Sequence, residues 1–347
     1  MTASRLGRGG ELSSFRFPRQ ERLAVGLTRV LRRNGLSNGN AVVLNRRPNP
    51  FKSTFPTEIV TCHNGPGRET LRFFVKYRTG GFDGVFGHRR DISYEAKVYR
   101  EVLQPLHVST PTLYGLYKDN ESDAEGLIIE YLPRGSPASW SRDPQAMTRS
   151  ARWIGRFHAA NEKRVHDARL QFLRRYNAEY YRGWALRTSV LFGQLNSRFP
   201  WIPPICTSFQ HRIPRLLRAP ETIIHGEYFG SNIVYQNGTS RPVDWQSTAI
   251  AAGEIDLAAL THSWPKKVVQ KCEREYARAR WSGRAPDGFE ETLELARVYM
   301  NLRWLGDPNI MSPLVSRRGR LVASKKMLVA MQAVLQLHSV GERLGLF

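Results

Sequence analysis

A chain of 347 residues with 41% hydrophobic content fills two modest cores more readily than one, and its three scattered cysteines, Cys62, Cys206 and Cys272, speak against a disulfide framework or zinc site and for a reducing cytoplasm. The N-terminal residues lack the apolar core of a signal peptide, and no apolar run approaches the roughly 20 residues that cross a bilayer, so the reading is a cytoplasmic protein without a membrane partner. The net charge of +22, with only 10 Lys among 52 basic residues, reads either as a solvated, Arg-biased surface or as attraction to an anionic partner; the spread of Arg along the whole chain, without a zinc-finger, RNP-like or basic-zipper pattern, argues against nucleic acid without excluding it.

Residues 1–19, rich in Arg, Gly and Ser, read as a flexible basic tail. Apolar residues at helical spacing over 21–31 predict a helix that stops near Asn34-Gly35. Strands are expected at 41–44 and 57–62, joined by a glycine-free loop over 45–56 that carries Lys52, Ser53 and Thr54. The run Leu71-Arg72-Phe73-Phe74-Val75-Lys76-Tyr77 is a strand with a lysine inside it, and residues 91–103 form a helix with the apolar stripe Ile92, Ala96, Tyr99 and Leu103. Glu95 lies beside that stripe rather than on the polar face. A carboxylate pressed toward a core needs a charged partner, and Lys76 is the natural candidate.

The apolar strand over 126–132 breaks at Pro133-Arg134-Gly135, which reads as a hinge between an N-terminal lobe, 20–132, and a C-terminal lobe, 133–347. Beyond it, 146–160 is an amphipathic helix in which His158 reads as a packing or capping residue. A long helical region is expected over 167–196, then a Pro-rich loop at Trp201-Ile202-Pro203-Pro204-Ile205-Cys206. Helical patterns predominate after Lys266, including 289–305 and 321–340. Glu290, Glu291, Glu294, Tyr299, Trp304 and Asp307 lie among these helices, where acidic residues at helix starts complement the helix dipole.

The stretch that organises the chain is 225–246, His-Gly-Glu followed by a hairpin. Short β-branched and aromatic runs flank Gln236-Asn237-Gly238-Thr239, a strong turn signal. Pairing centred on Gly238 would set 233 opposite 243 and Asn232 opposite Asp244, with Cβ atoms roughly 5 Å apart. An amide oxygen and a carboxylate so placed are hard ligands suited to Mg²⁺, whereas zinc would want nitrogen or sulfur. Glu227, on the loop five residues before Asn232, could orient a hydroxyl for attack on phosphorus. Taken singly, each of these residues also reads as part of an ordinary polar hairpin.

His225-Gly226-Glu227, four residues, Asn232, then Asp244-Trp245-Gln246 and Gly253-Glu254-Ile255-Asp256-Leu257-Ala258, together resemble the signature of the aminoglycoside phosphotransferase and choline kinase-like family. The resemblance implies a bilobal α+β protein kinase-like fold, with a small β-rich N-lobe and a larger, mostly helical C-lobe. It implies ATP and Mg²⁺ as cofactors between the lobes and a small-molecule hydroxyl acceptor as partner, with the acceptor pocket among the helices after Lys266, where Glu290, Glu291, Glu294, Tyr299, Trp304 and Asp307 would be its candidate lining. Lys76 would grip the nucleotide phosphates and Glu95 would hold it; the 45–56 loop, with Ser53 and Thr54, would cover those phosphates. Main-chain atoms of Glu130 and Leu132 would meet the adenine, Asn232 and Asp244 would hold the metal, and Glu227 would act on the acceptor hydroxyl, with His225 bracing its loop.

Two positions depart from the pattern. Glu227 stands where the family usually has Asp, one methylene shorter, and Gln246 stands where a Glu commonly follows the metal-binding dipeptide. The leading expectation is an ATP-dependent small-molecule phosphotransferase. A degenerate, nucleotide-binding regulatory protein and a basic nucleic-acid binder are the alternatives at this level.

Overall fold

The computed structural model describes residues 15–36, 39–50, 55–64, 70–78, 91–119, 124–193, 198–282, 284–308, 310–311 and 325–347. These residues divide into two compact units, with the boundary between Gly135 and Ser136. The first is built on a sheet and the second is mostly helical, the expected α+β arrangement. Among the described residues no helix is long and apolar enough to cross a membrane. All three cysteines are buried and unpaired.

In the first unit, helix α1 (Gln20–Arg33) lays Leu23, Leu27, Val30 and Leu31 against an antiparallel sheet. The strands are β1 (Ala41–Pro48), β2 (Thr57–Asn64), β3 (Thr70–Tyr77), β4 (Leu113–Lys118) and β5 (Glu125–Glu130), in the order β1-β2-β3-β5-β4. Val43, Val60, Phe73, Val75, Tyr77 and Ile128 fill the space beneath the helix. Strand β1 runs four residues past its expected end at Leu44. Its outer half is polar, yet Arg46 makes a two-pronged ion pair with Glu58 on β2, at 2.9 and 2.7 Å, and Tyr77 donates to the same carboxylate. Cross-strand charge pairing extends a ladder that hydrophobic periodicity alone would end.

Helix α2 (Ile92–Val98) is capped by the Asp91 carboxylate on the Tyr94 N–H at 2.9 Å and continues as one wider turn over Tyr99–Leu103. Ile92, Ala96, Tyr99 and Leu103, the expected stripe, are all buried.

The second unit opens with the short strand β6 (Ser136–Pro137) and helix α3 (Ala146–Asn161). The helix expected over 167–196 occupies only the later part of that span. Residues up to Leu170 form tight single turns, and strand β7 (Arg174–Arg175) pairs in parallel with β11 (Ala249–Ala252) before α4 (Ala178–Gly193) begins. The Pro-rich segment expected as a loop is instead the first turn of α5 (Ile202–Arg218). Proline is tolerated there because the first-turn N–H groups have no intrahelical partner to lose.

Strand β8 (Glu221–Ile224) pairs antiparallel with β11, and β9 (Ile233–Gln236) with β10 (Thr239–Pro242). Helices α6 (Glu254–Thr261), α7 (Lys266–Trp281), α8 (Phe289–Leu305) and a final helix, Lys325–Leu344, complete the unit. Helix α6 is buried all round, which is why its sequence shows no polar face.

Gly155 sets how closely α3 approaches α7. A Cβ there would lie 2.8 Å from the Tyr276 carbonyl oxygen and 2.9 Å from the Ala279 Cβ. Replacing a mid-helix glycine with alanine ordinarily gains about 0.5–1 kcal/mol, but overpacking against a fixed backbone costs about 1–3 kcal/mol. Gly155→Ala should therefore lower stability, read as a lower urea midpoint with an unchanged slope.

Candidate active site

In the first unit, Lys76 on β3 is only 4% exposed and its Nζ donates to Glu95 Oε2 at 2.7 Å. It also lies 4.9 Å over the Phe55 ring. The lysine does not snorkel to water. Two buried charges in contact are held more by the cost of separating them than by any net gain from pairing. Glu130 closes β5, where its carboxylate accepts from the Thr112 N–H and hydroxyl. Leu132 follows two residues on, half-buried. Ser53 and Thr54 lie outside the described residues.

In the second unit, Ile223 and Ile224 of β8 are fully buried and deliver the chain to the loop His225-Gly226-Glu227. Gly226 has φ +82°, and a Cβ on it would lie 2.2 Å from the Ser247 carbonyl oxygen, so only glycine fits. The Asp256 carboxylate, fully buried in the first turn of α6, accepts from the His225 N–H at 2.6 Å and the Gly226 N–H at 2.9 Å. His158 donates from Nε2 to the same carboxylate at 3.1 Å and accepts on Nδ1 from the Tyr276 hydroxyl at 2.9 Å. Burial lowers the His158 pKa, which favours the neutral ring. His158 thus supports Asp256, and Asp256 supports the loop.

The His225 ring has main-chain partners on both nitrogens. Nε2 donates to the Val243 carbonyl at 2.9 Å and Nδ1 accepts from the Glu227 N–H at 3.2 Å. The ring also packs 4.5 Å from Trp245. It ties the loop to the far end of the hairpin.

The expected hairpin register is off by one residue. Ile233 pairs with Pro242 rather than Val243, and the Val243 N–H bonds the Asn232 carbonyl at 2.9 Å. The cause is the turn: Asn237 and Gly238, with φ of 49° and 76°, form a two-residue connection centred between them, not on Gly238. Asn232 and Asp244 are therefore not a cross-strand pair. Asn232 ends the tight turn Gly230–Asn232, and Asp244 stands two residues beyond β10 in a left-handed conformation, φ 70° and ψ 57°. That conformation is uncommon outside glycine, asparagine and aspartate. The Asn232 side-chain amide donates from Nδ2 to the Glu227 carbonyl at 3.0 Å, so the amide oxygen is the atom left to act as a ligand.

Glu227 is 3% exposed, and its Oε1 accepts from Arg303 Nη1 at 3.0 Å. Sequence reasoning missed Arg303, which lies 76 residues away near the end of α8. The signal was present as an arginine inside the run Val298 to Leu305, four residues after the buried Tyr299 and so on the same helix face. Phe229, two residues after Glu227, packs edge-on against Trp304 at 5.4 Å, and Trp304 stacks on His262 at 6.2 Å. Three of the other pocket candidates are tied up elsewhere: Glu291 with Arg215, Glu294 with Arg297 and Arg343, and Tyr299 with the Tyr180 hydroxyl. Among the described residues, no three His, Cys, Asp or Glu side chains cluster as a metal cage.

The two-unit α+β architecture is that of protein kinase-like phosphotransferases, as three solved structures illustrate. A macrolide 2'-phosphotransferase of Brachybacterium faecium is 16% identical, with 89% of this chain and 97% of that one aligned and a TM-score of 0.53. A choline kinase of Streptococcus pneumoniae is 14% identical, with 86% and 94% aligned and a TM-score of 0.57. A spectinomycin phosphotransferase, solved with ADP and spectinomycin, is 12% identical, with 90% and 93% aligned and a TM-score of 0.54. A search of functionally curated proteins finds no significant match. The family model of the APH phosphotransferase enzyme family matches residues 66–291, more than half of the chain, and the chain belongs to that family.

His262 gives this region a pH signature. Burial, reinforced by Arg303, pushes its pKa down to about 4, against about 6.5 for an unfolded histidine. The folded state binds this proton more weakly than the unfolded chain, so the contribution is full above about pH 6.5 and is lost as the pH falls through about 4. Burial lowers the His158 pKa and acts in the same direction. The urea-derived stability should fall between pH 6.5 and 4, and His262→Gln should remove on the order of 1–3 kcal/mol of that fall.

Proposed function

We propose that the chain is an ATP-dependent O-phosphotransferase that passes the γ-phosphoryl group to a hydroxyl of a small molecule. The observation that carries the reading is the Glu227 loop. Its main chain is pinned by a buried carboxylate, and Asn232 bonds back to Glu227 just before the hairpin that leads to Asp244. A positioned carboxylate beside oxygen ligands is what phosphoryl transfer asks of a protein, since most of the catalysis is alignment and charge stabilisation.

In this reading Lys76, immobilised by Glu95, binds the nucleotide phosphates, and main-chain groups at Glu130 and Leu132 meet the adenine. The family neighbours solved with ADP and with AMP support a nucleotide as donor. Asn232 and Asp244 offer an amide oxygen and a carboxylate, a donor set that suits Mg²⁺ and not zinc. Bound there, Mg²⁺ would neutralise phosphate charge. Glu227 aligns the acceptor hydroxyl and takes its proton as the oxygen bonds to the γ-phosphorus and the bond from that phosphorus to the β,γ-bridging oxygen breaks. His225 braces the loop, because both of its ring nitrogens are engaged with main chain.

Calorimetric titration of ATP with and without Mg²⁺ tests this reading. The wild type should bind in a Mg²⁺-dependent manner, and Asp244→Ala should abolish that binding while keeping the wild-type circular dichroism. An absence of binding by the wild type would refute it. With any accepted hydroxyl compound, Glu227→Gln should keep nucleotide affinity within a few-fold and lower kcat by about 10²–10⁴-fold. Nucleotide binding without transfer to any acceptor would favour a regulatory role instead.

A further inference from the structure

We propose that Arg303 is the positioning residue of Glu227: it keeps that carboxylate ionised and holds it at the reach of a glutamate, so that this site requires Glu and not Asp. The inference rests on the catalytic reading of Glu227 and deepens it. A carboxylate that orients a hydroxyl and takes its proton has to stay ionised and stay in place. Glu227 is 3% exposed, and burial by itself favours the neutral form of a carboxyl. Arg303 Nη1 donates to Glu227 Oε1 at 3.0 Å, and the guanidinium is itself buried, so water screens the pair little.

The other charges nearby raise the demand on this arginine. Asp256, in the first turn of α6, grips the loop that carries Glu227, and Asp244 stands just beyond β10 at the far end of the hairpin. Each is a carboxylate, and a neighbouring negative charge works against ionisation of another. Asp256 is held by the N–H groups of His225, Gly226 and His158, and burial favours the neutral His158 ring. His225 accepts on Nδ1 and donates from Nε2, as a neutral ring does. His262, with its pKa pushed down to about 4, is neutral at pH 7. Burial keeps the phenols of Tyr176, Tyr180 and Tyr299 protonated, and Arg174 lies 4.8 Å over the Tyr180 ring. The histidines and tyrosines around the pair thus do not take over the role of Arg303.

The same contact sets the length of the side chain. The main chain of Glu227 is fixed from both sides, by His225 Nδ1 on its N–H at 3.2 Å and by the Asn232 amide on its carbonyl at 3.0 Å. Arg303 comes from the buried face of α8, four residues after Tyr299, whose hydroxyl is bonded to that of Tyr180. Between two fixed ends, an aspartate, one methylene shorter, would draw the carboxylate out of hydrogen-bond distance of the guanidinium.

Infrared titration of the full chain reads the ionisation directly, through the C=O stretch of a protonated carboxyl at position 227, assigned by its loss in the matching Gln or Asn variant. Arg303→Met should raise the midpoint of that band by about 1–3 pH units, and Arg303→Lys, which keeps the charge, should reverse most of the shift. Glu227→Asp should raise it too, although a free aspartate is the more acidic residue. A side chain that merely packs would lower stability without moving the band. Phosphate release from radiolabelled MgATP, with water as the hydroxyl acceptor, reads the consequence. It should slow by about 10–100-fold in Arg303→Met and in Glu227→Asp, with MgATP affinity by calorimetry within a few-fold of wild type. An unmoved midpoint in Arg303→Met overturns the proposal, as does a Glu227→Asp variant as fast as the wild type. Wild-type binding of MgATP without phosphate release counts against the positioning role. If the wild type binds no MgATP, the catalytic reading falls, and the infrared midpoints alone decide whether Arg303 governs Glu227.

Discussion

The bidentate grip of the Asp256 carboxylate on the His225 and Gly226 N–H groups is the constraint on which the rest of the site depends. A loop that leaves a strand with a glycine at φ +82° and turns back within two residues cannot satisfy its own amides through the sheet. A fully buried carboxylate does so from the first turn of α6, and it is itself held by His158, whose ring is held by Tyr276. Each member is desolvated and each has a partner, which makes the chain of bonds rigid rather than costly. Glu227 inherits that rigidity through its own N–H on His225.

Three sets of buried charges follow one rule, whereas the buried Asp256 carboxylate is held by N–H donors instead. Lys76 with Glu95, Glu227 with Arg303, and Arg280 with Glu254 and Glu162 each bring a charge below the surface only beside its counter-charge. Such pairs add little net stability over a well-packed apolar alternative, but losing one partner is expensive. Two of these pairs, Lys76 with Glu95 and Glu227 with Arg303, stand where the proposed phosphate and hydroxyl chemistry would occur. The net charge of +22 does not bear on this, because it is a sum over a surface rather than a property of these pairs.

What was legible in the sequence was local. The Lys76–Glu95 pair was found because a carboxylate beside a helix's apolar stripe has to be explained, and the second residue is 19 positions away on an unmistakable strand. The spacing of Glu227, Asn232, Asp244 and Asp256 marked the loop and its hairpin. The register was not legible, because Gln236-Asn237-Gly238-Thr239 supports a turn centred on Gly238 or half a residue earlier, and only the positive φ at both Asn237 and Gly238 decides. The first turn of α5 was misread because its paired prolines suggest a break, whereas the first-turn N–H groups of a helix have no intrahelical partner to lose. Arg303 was missed for a different reason: its spacing after Tyr299 places it on the buried face of α8, but nothing local ties that face to a loop 76 residues away.

Arg303 also gives the departure at position 227 a physical meaning. A glutamate in place of the usual aspartate moves the carboxylate outward by one methylene, and an unsupported shift of about 1 Å can disable a positioned group. In this chain the longer side chain ends on a guanidinium, while the main chain beneath it is fixed by Asp256 and His225. The carboxylate is therefore anchored at both ends. An aspartate at 227 would retract from Arg303 by roughly one carbon–carbon bond, about 1.5 Å, and leave that guanidinium buried without this partner. Glu227 and Arg303 are thus best understood as one unit, in which the extra methylene and the arginine that receives it require each other.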